Sequence, residues 1–158
     1  MTLDAIREQV KTIMAAVDGI GVVHGYQRWA ADWAAFLNLF KTPEGKINGW
    51  MITRESTPEQ LLDPAEYERV YGLKIIGIYG LNDSDGSELV FQSLVESICD
   101  AFRSDYNLNG TCETTSPDFG PMAGVSGIQV QTVENRVFGN VLCHYCELGL
   151  GVQVIETI

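Results

Sequence analysis

Residues 70–103 constrain this chain more than any other stretch, because they spell out a strand, a turn and a helix in direct succession. The run VYGLKIIGIYGL, residues 70–81, is built from β-branched, aromatic and glycine residues and is short enough for a buried strand. Residues 87–103 place Leu94, Val95, Ile98 and Phe102 at helical spacing, with Val90 and Phe91 one turn earlier. Between them lie Asn82, Asp83, Ser84, Asp85 and Gly86, whose side chains favour turns by bonding to nearby backbone. Asp85 or Ser87 is expected to cap the helix, and Glu88 adds a favourable charge to its first turn. Such a unit predicts a sheet with a helix laid across it. It carries no chemistry by itself.

The flanking segments extend the same pattern. Residues 2–17 put Leu3, Ile6, Val10, Ile13, Met14 and Val17 on one apolar stripe, with Thr2 as N-cap and Gly19 as the stop. Residues 20–26 read as a first strand or a short extended crossing. Residues 26–40, YQRWAADWAAFLNLF, repeat Trp29, Trp33, Phe36, Leu37 and Phe40 at steps of three and four and contain four alanines, which predicts a helix. That segment is apolar around more of its circumference than one core contact needs. It is read either as a core helix or as a projecting segment that packs on a neighbour, since Trp and Arg are enriched at interfaces. Residues 47–54 alternate as a strand, with Asn48, Trp50, Ile52 and Arg54 on one face.

Residues 55–68 are acidic and hold Pro58 and Pro64, so they read as an exposed connection with at most a short helical turn. Residues 104–121 are polar and rich in Asn, Thr, Gly and Pro, a long loop or a second projecting segment. Residues 125–133 alternate as a strand, 134–136 suggest a turn, and 137–155 give one long strand or two short ones, the last two paired antiparallel. The sum is an α+β single domain over residues 1–158. Its expected sheet is mixed but mostly antiparallel, with two to three helices packed mainly on one face.

Composition narrows the function more than it names it. A chain of 158 residues suits one domain that buries roughly 70% of its unfolded surface. The formal net charge of −11, spread along the chain, argues against wrapping nucleic acid through phosphate contacts and against anionic membranes. Residues 1–17 carry Asp4, Arg7, Glu8 and Lys11 and do not read as a signal peptide, and no apolar run approaches the ~20 residues that span a bilayer. Cytoplasmic synthesis and four reduced cysteines are the expectation.

Catalytic signals are thin. Gly19-Ile-Gly21-Val-Val-His24-Gly25 has the wrong spacing for a dinucleotide loop and follows a helix. Cys143-His144-Tyr145-Cys146 resembles a metal or redox motif. On a strand, however, Cys143 and Tyr145 point one way and His144 and Cys146 the other. Core or sheet-face cysteines are the expected reading, and a composite site of His144, Cys146 and a distant ligand stays open as the alternative. Asp83 and Asp85 do not continue into a calcium-binding loop, and no G-x-S-x-G, Walker or H-E-x-x-H motif occurs.

The motifs that remain carry a family likeness. The N-terminal amphipathic helix, Gly25-x-x-Arg28-Trp29, the run from Asn48 to Arg54, Gly77-x-Tyr79-x-Leu81, Asp83-x-x-x-Ser87-Glu88 and Phe91-Gln92 together resemble the tail terminator, or tail-completion, proteins of tailed bacteriophages and prophages. The resemblance implies a small domain with a mixed sheet and a structural role without catalytic residue, metal or cofactor. It implies a homo-oligomeric ring, in that family usually a hexamer, that caps the tail tube and connects it to a neck or head-completion protein. The place of action would be the host cytoplasm during assembly and then the virion tail. DNA would pass through the ring without specific binding, which an acidic lumen suits. The contact residues implied are Arg28, Trp29, Trp33, Trp50 and Arg54. Two alternatives stand beside this one: another phage neck or baseplate adaptor, and a small enzyme or metal-binding domain using His144 and Cys146.

Overall fold

Two long strands form the spine of the molecule. In the computed structural model, which describes residues 2–158, β4 (Glu66–Gly80) and β6 (Val141–Thr157) pair antiparallel from Glu66↔Thr157 to Gly80↔Cys143. At the usual rise per residue this ladder is about 50 Å long. The remaining elements attach to it: α1 (Leu3–Ala15), β1 (Val22–His24), α2 (Trp33–Asn38), β2 (Asn48–Ser56), β3 (Glu59–Asp63), α3 (Ser87–Arg103) and β5 (Gln129–Phe138). The sheet runs β1-β2-β4-β6-β5, and β3 pairs with the start of β4 beyond the end of β2. Among the described residues only the β1–β2 pair is parallel, so the sheet is mixed and mostly antiparallel, an α+β fold. Among the described residues no helix is long and apolar enough to cross a membrane.

Strand alternation gives the sheet two different faces. One face presents Trp50, Ile52, Leu73, Ile75, Leu148, Leu150, Val152 and Val154 to α1 and α3, which answer with Ile6, Val10 and Met14 and with Phe91, Leu94, Val95, Ile98 and Phe102. Each of these aliphatic or aromatic side chains, once fully buried, contributes roughly 1.5–3 kcal/mol. The other face holds a smaller cluster of Phe36, Leu37, Phe40, Met51, Ile78, Phe138, Cys143 and Tyr145, covered only by the short α2. The two longer helices therefore share one face, and the third lies on the other.

Several local expectations are corrected. Residues 26–40 are not one helix: only Trp33–Asn38 is helical, because Asp32 takes an extended backbone and its side chain accepts the Ala35 N–H at 2.8 Å. Residues 55–68 are a hairpin extension rather than a connection with a helical turn. Pro58, which has no N–H, sits at the break between β2 and β3, and its carbonyl accepts the Val70 N–H at 3.0 Å. The turn expected at 134–136 lies inside β5. The chain instead reverses at Gly139 and Asn140, where Gly139 has φ +67° and Phe138 pairs with Val141. Glycine at the first central position suits a two-residue hairpin turn. Helix α3 begins at Ser87, as expected, but its N-cap is Gly86, with φ +68° and no side-chain cap.

The segment expected at residues 104–121 runs on to residue 128 without a strand or helix and packs back on the domain. It leaves α3 through Leu108 and Cys112, which join the helix-side core, and then passes around the edge of β6. There Glu113 N–H donates to Gln153 O at 3.0 Å, and Gln153 N–H donates to Thr114 O at 2.9 Å. The middle of the loop lies over the opposite face, where a Cβ on Gly151 would come within 2.7 Å of Pro117, and Ile128 at its end returns to the helix-side core. The loop thus closes the part of the β6 edge that β5 leaves unpaired.

Packing is tight where β2 meets β4. Trp50 is opposite Gly77 in the register, its indole N–H donates to Asn48 Oδ1 at 3.1 Å, and its ring stacks on Phe91 at 5.9 Å. A Cβ at residue 77 would sit 2.2 Å from Trp50 Cζ3. Gly77→Ala is accordingly expected to lower the unfolding free energy by about 3 kcal/mol. Urea unfolding checks this, and a variant as stable as the parent would show that the ring has room to move.

Candidate interaction surface on the open face of the sheet

The face away from α1 and α3 is floored by Met51, Ile76, Ile78 and Tyr145, alternate residues of β2, β4 and β6. Residues 26–32 cross one end of it in an irregular path. The path is pinned from both sides: Arg28 N–H contacts Met51 Sδ at 3.4 Å, and Arg28 Nη1 lies 3.2 Å from His24 Nδ1. The same imidazole reaches Leu39 O through Nε2 at 2.6 Å. A carbonyl can only accept, so Nε2 carries the proton and Nδ1 accepts from Arg28. His24 thereby holds both ends of the aromatic segment.

That segment walls a groove of about 650 Å³. Trp33 meets Phe138 at 5.4 Å and Phe36 at 5.5 Å between ring centroids, and Trp29 meets Phe36 at 5.6 Å. The two tryptophans remain 65% and 47% exposed although each touches a buried ring. Opposite them the groove turns polar. Arg136 lies 3.7 Å above the centre of the Tyr145 ring and pairs with Glu134. Lys74 Nζ sits 2.9 Å from both Glu55 and Glu147, and hydrogen bonds to those carboxylates, Glu147 first, hold its ammonium above the ordinary lysine value. The groove therefore offers aromatic edges at one end and compensated charges at the other.

Of the five expected contact residues, Trp29, Trp33 and Arg54 line this groove. Arg28 lies behind it, half-buried, with its guanidinium 5.2 Å from the Tyr26 ring centre. Trp50 is not at the surface at all. It is fully buried on the helix side, where its ring fills space above Gly77, so it serves packing within the subunit. Phe138, Tyr145 and Arg136 are groove residues that the sequence reading passed over. The signal was present in the alternation that puts Cys143 and Tyr145 on one face, but it could not show which face stays open.

The cysteine–histidine stretch has another role. Cys143 belongs to the open-side cluster and Cys146 to the helix-side core, so the two thiols diverge as strand geometry requires. Among the described residues no group of three His, Cys, Asp or Glu side chains is placed to hold a metal ion. His144 does not join Cys146 in a shared site. Its Nδ1 lies 3.1 Å from Asn135 Oδ1 and its Nε2 lies 2.8 Å from Ser87 Oγ. The amide oxygen fixes the proton on Nδ1, leaving Nε2 to accept from the serine hydroxyl. Ser87 Oγ in turn accepts the Asn82 N–H at 2.8 Å. Asn82, Ser87, His144 and Asn135 form one chain of hydrogen bonds from the β4–α3 turn to β5. Their separation in sequence hid it.

No protein-family model matches the chain, and no curated protein sequence matches it.

Two measurements check this site description. Burial pushes the Cys112 and Cys146 thiols up to about 12 and raises those of Cys99 and Cys143 as well. A thiol reagent at mildly alkaline pH is therefore expected to find all four cysteines only after unfolding, and one rapid native reaction would contradict that burial. Ser87→Ala strands the Asn82 N–H and the His144 ring and is expected to cost about 1–3 kcal/mol in denaturant unfolding. A neutral effect would mean that water takes over both bonds.

Proposed function

We propose that this chain is a structural subunit of a tailed phage or prophage particle, similar to tail terminators, which assembles as a ring capping the tail tube and joining it to the neck. The observation that carries the assembly half of this reading is the aromatic groove. Trp29 and Trp33 stand exposed beside an apolar floor, on a face that α2 covers only in part. Exposed tryptophan at the rim of a pocket is the side-chain chemistry on which protein interfaces concentrate their energy. The virion half of the reading rests on the sequence motifs from Gly25 to Gln92. A net charge of −11 suits a subunit whose ring lets DNA pass without gripping it.

The test uses the whole chain with purified tail tubes. The expected result is co-sedimentation with the tubes and a ring at their ends in electron micrographs. Trp29→Ala, at the more exposed of the two rings, is expected to weaken that association by about tenfold or more, with little change in thermal unfolding. Trp33→Ala is expected to weaken it similarly and also to lower the unfolding temperature, because Trp33 packs on Phe36 and Phe138. A chain that neither forms a ring nor binds tubes would overturn the proposal.

One observation favours a second reading, a hydrolase. Ser87, His144 and Asn135 stand in the order of nucleophile, base and orienting amide, beside a cavity of about 660 Å³ that Ser87, Tyr79, Asn82 and Asp85 help to line. Against it, the serine is buried and its oxygen already accepts a backbone N–H. Labelling of Ser87 by a fluorophosphonate probe in the native chain would favour the hydrolase. An unlabelled Ser87 leaves the hydrogen-bonded chain as a structural tie.

A further inference from the structure

Strand β5 is bonded to β6 along one side, and along its other side it pairs with no strand among the described residues. Its middle reads Val133, Glu134, Asn135, Arg136, Val137. By alternation Val133, Asn135 and Val137 lie on the helix side, and Glu134 and Arg136 lie on the open side beside Tyr145. The two valines are 41% and 59% exposed, which is unusual company for an unpaired edge.

We infer that this edge is a self-complementary interface through which two copies of the chain pair antiparallel about a twofold axis at Asn135. With the axis there, Glu134 of each copy faces Arg136 of the other, and Val133 of each faces Val137 of the other. Cross-strand pairs of these kinds stabilise a sheet, and like charges opposite one another weaken it. The register is specific. Moving the axis one residue either way sets Glu134 against Glu134 or Arg136 against Arg136, and it sets Asn135 against a valine.

The neighbouring strand reinforces the same register. Within one subunit Val133 pairs with Cys146 and Val137 with Leu142, and Leu142 is itself exposed. Joining two copies at Asn135 makes unbroken apolar rows, Cys146 and Val133 of one copy continuing into Val137 and Leu142 of the other. The twofold axis stands perpendicular to the sheet, so both helix layers fall on one side and both aromatic grooves stay open on the other. An interface of this type is isologous and closes at two copies, whereas a ring needs a head-to-tail contact elsewhere. The inference therefore stands apart from the tail reading.

Sedimentation equilibrium of the full chain at about 0.15 M salt, where repulsion between two acidic copies is screened beyond ~8 Å, tests it. The expected result is a monomer–dimer equilibrium. Glu134→Arg alone and Arg136→Glu alone are each expected to weaken the dimer by about tenfold, since each turns two attractive pairs into repulsive ones. The double exchange restores it. Circular dichroism of each variant confirms that the exposed substitutions leave the fold intact. A strictly monomeric parent would overturn the inference, as would any association indifferent to the single reversals or not rescued by the double exchange. Trp29→Ala is expected to leave the dimer unchanged, so loss of tail-tube binding in that variant concerns the other surface.

Discussion

The pairing of β4 with β6 is the constraint from which the rest follows. Its residues face each other without a register break, so one alternation governs both strands along their whole length. Once Leu73, Ile75, Leu148, Leu150, Val152 and Val154 are committed to one face, a slip of a single residue would turn every one of them to the other side. The helices α1 and α3 have no choice of face, and neither does Trp50, whose ring needs the side-chain gap that Gly77 supplies. Glycine appears opposite the largest ring because two side chains would not fit there.

What could be read in advance was whatever repeats. The stripe Ile6, Val10, Met14 and the stripe Phe91, Leu94, Val95, Ile98, Phe102 each announce a helix with one buried side, and α3 begins and ends where its spacing says. The α+β class and the mostly antiparallel sheet came from the same periodicity. Errors arose where a single residue overrules its neighbours. Asp32 starts a helix that the surrounding alanines and tryptophans would have begun sooner. Glu134, Asn135 and Arg136 have the composition of a turn but occupy an edge strand, where both faces meet solvent and polar residues cost little. Residues 59–63 hide a strand for the same reason.

The site was only half legible. Spacing showed that Trp29 and Trp33 were too many apolar residues for one buried stripe, and that Cys143 and Cys146 point apart. It could not show that α2 would lie across the second face, nor that Trp50 would be consumed by the core while Phe138 and Tyr145 completed the groove. Those facts depend on which strands become neighbours, and β5 and β6 meet α2 only through a sheet order in which β4 lies between β2 and β6. The pairing of His144 with Ser87 is of the same kind, a contact made across 57 positions of chain.

The run of hydrogen bonds from Asn82 through Ser87 and His144 to Asn135 has a mechanical consequence. It crosses the sheet at right angles to the strands and ties the first residue of α3 to the outermost strand. The imidazole is held at both nitrogens and stacked on Phe91, so it behaves as a rigid spacer between them. A force applied at the β5 edge is thus delivered to the start of a helix on the far side of two intervening bonds. Edge and helix must shift together or the spacer must let go of one of them, which makes the sheet's exposed margin and its buried layer a single lever.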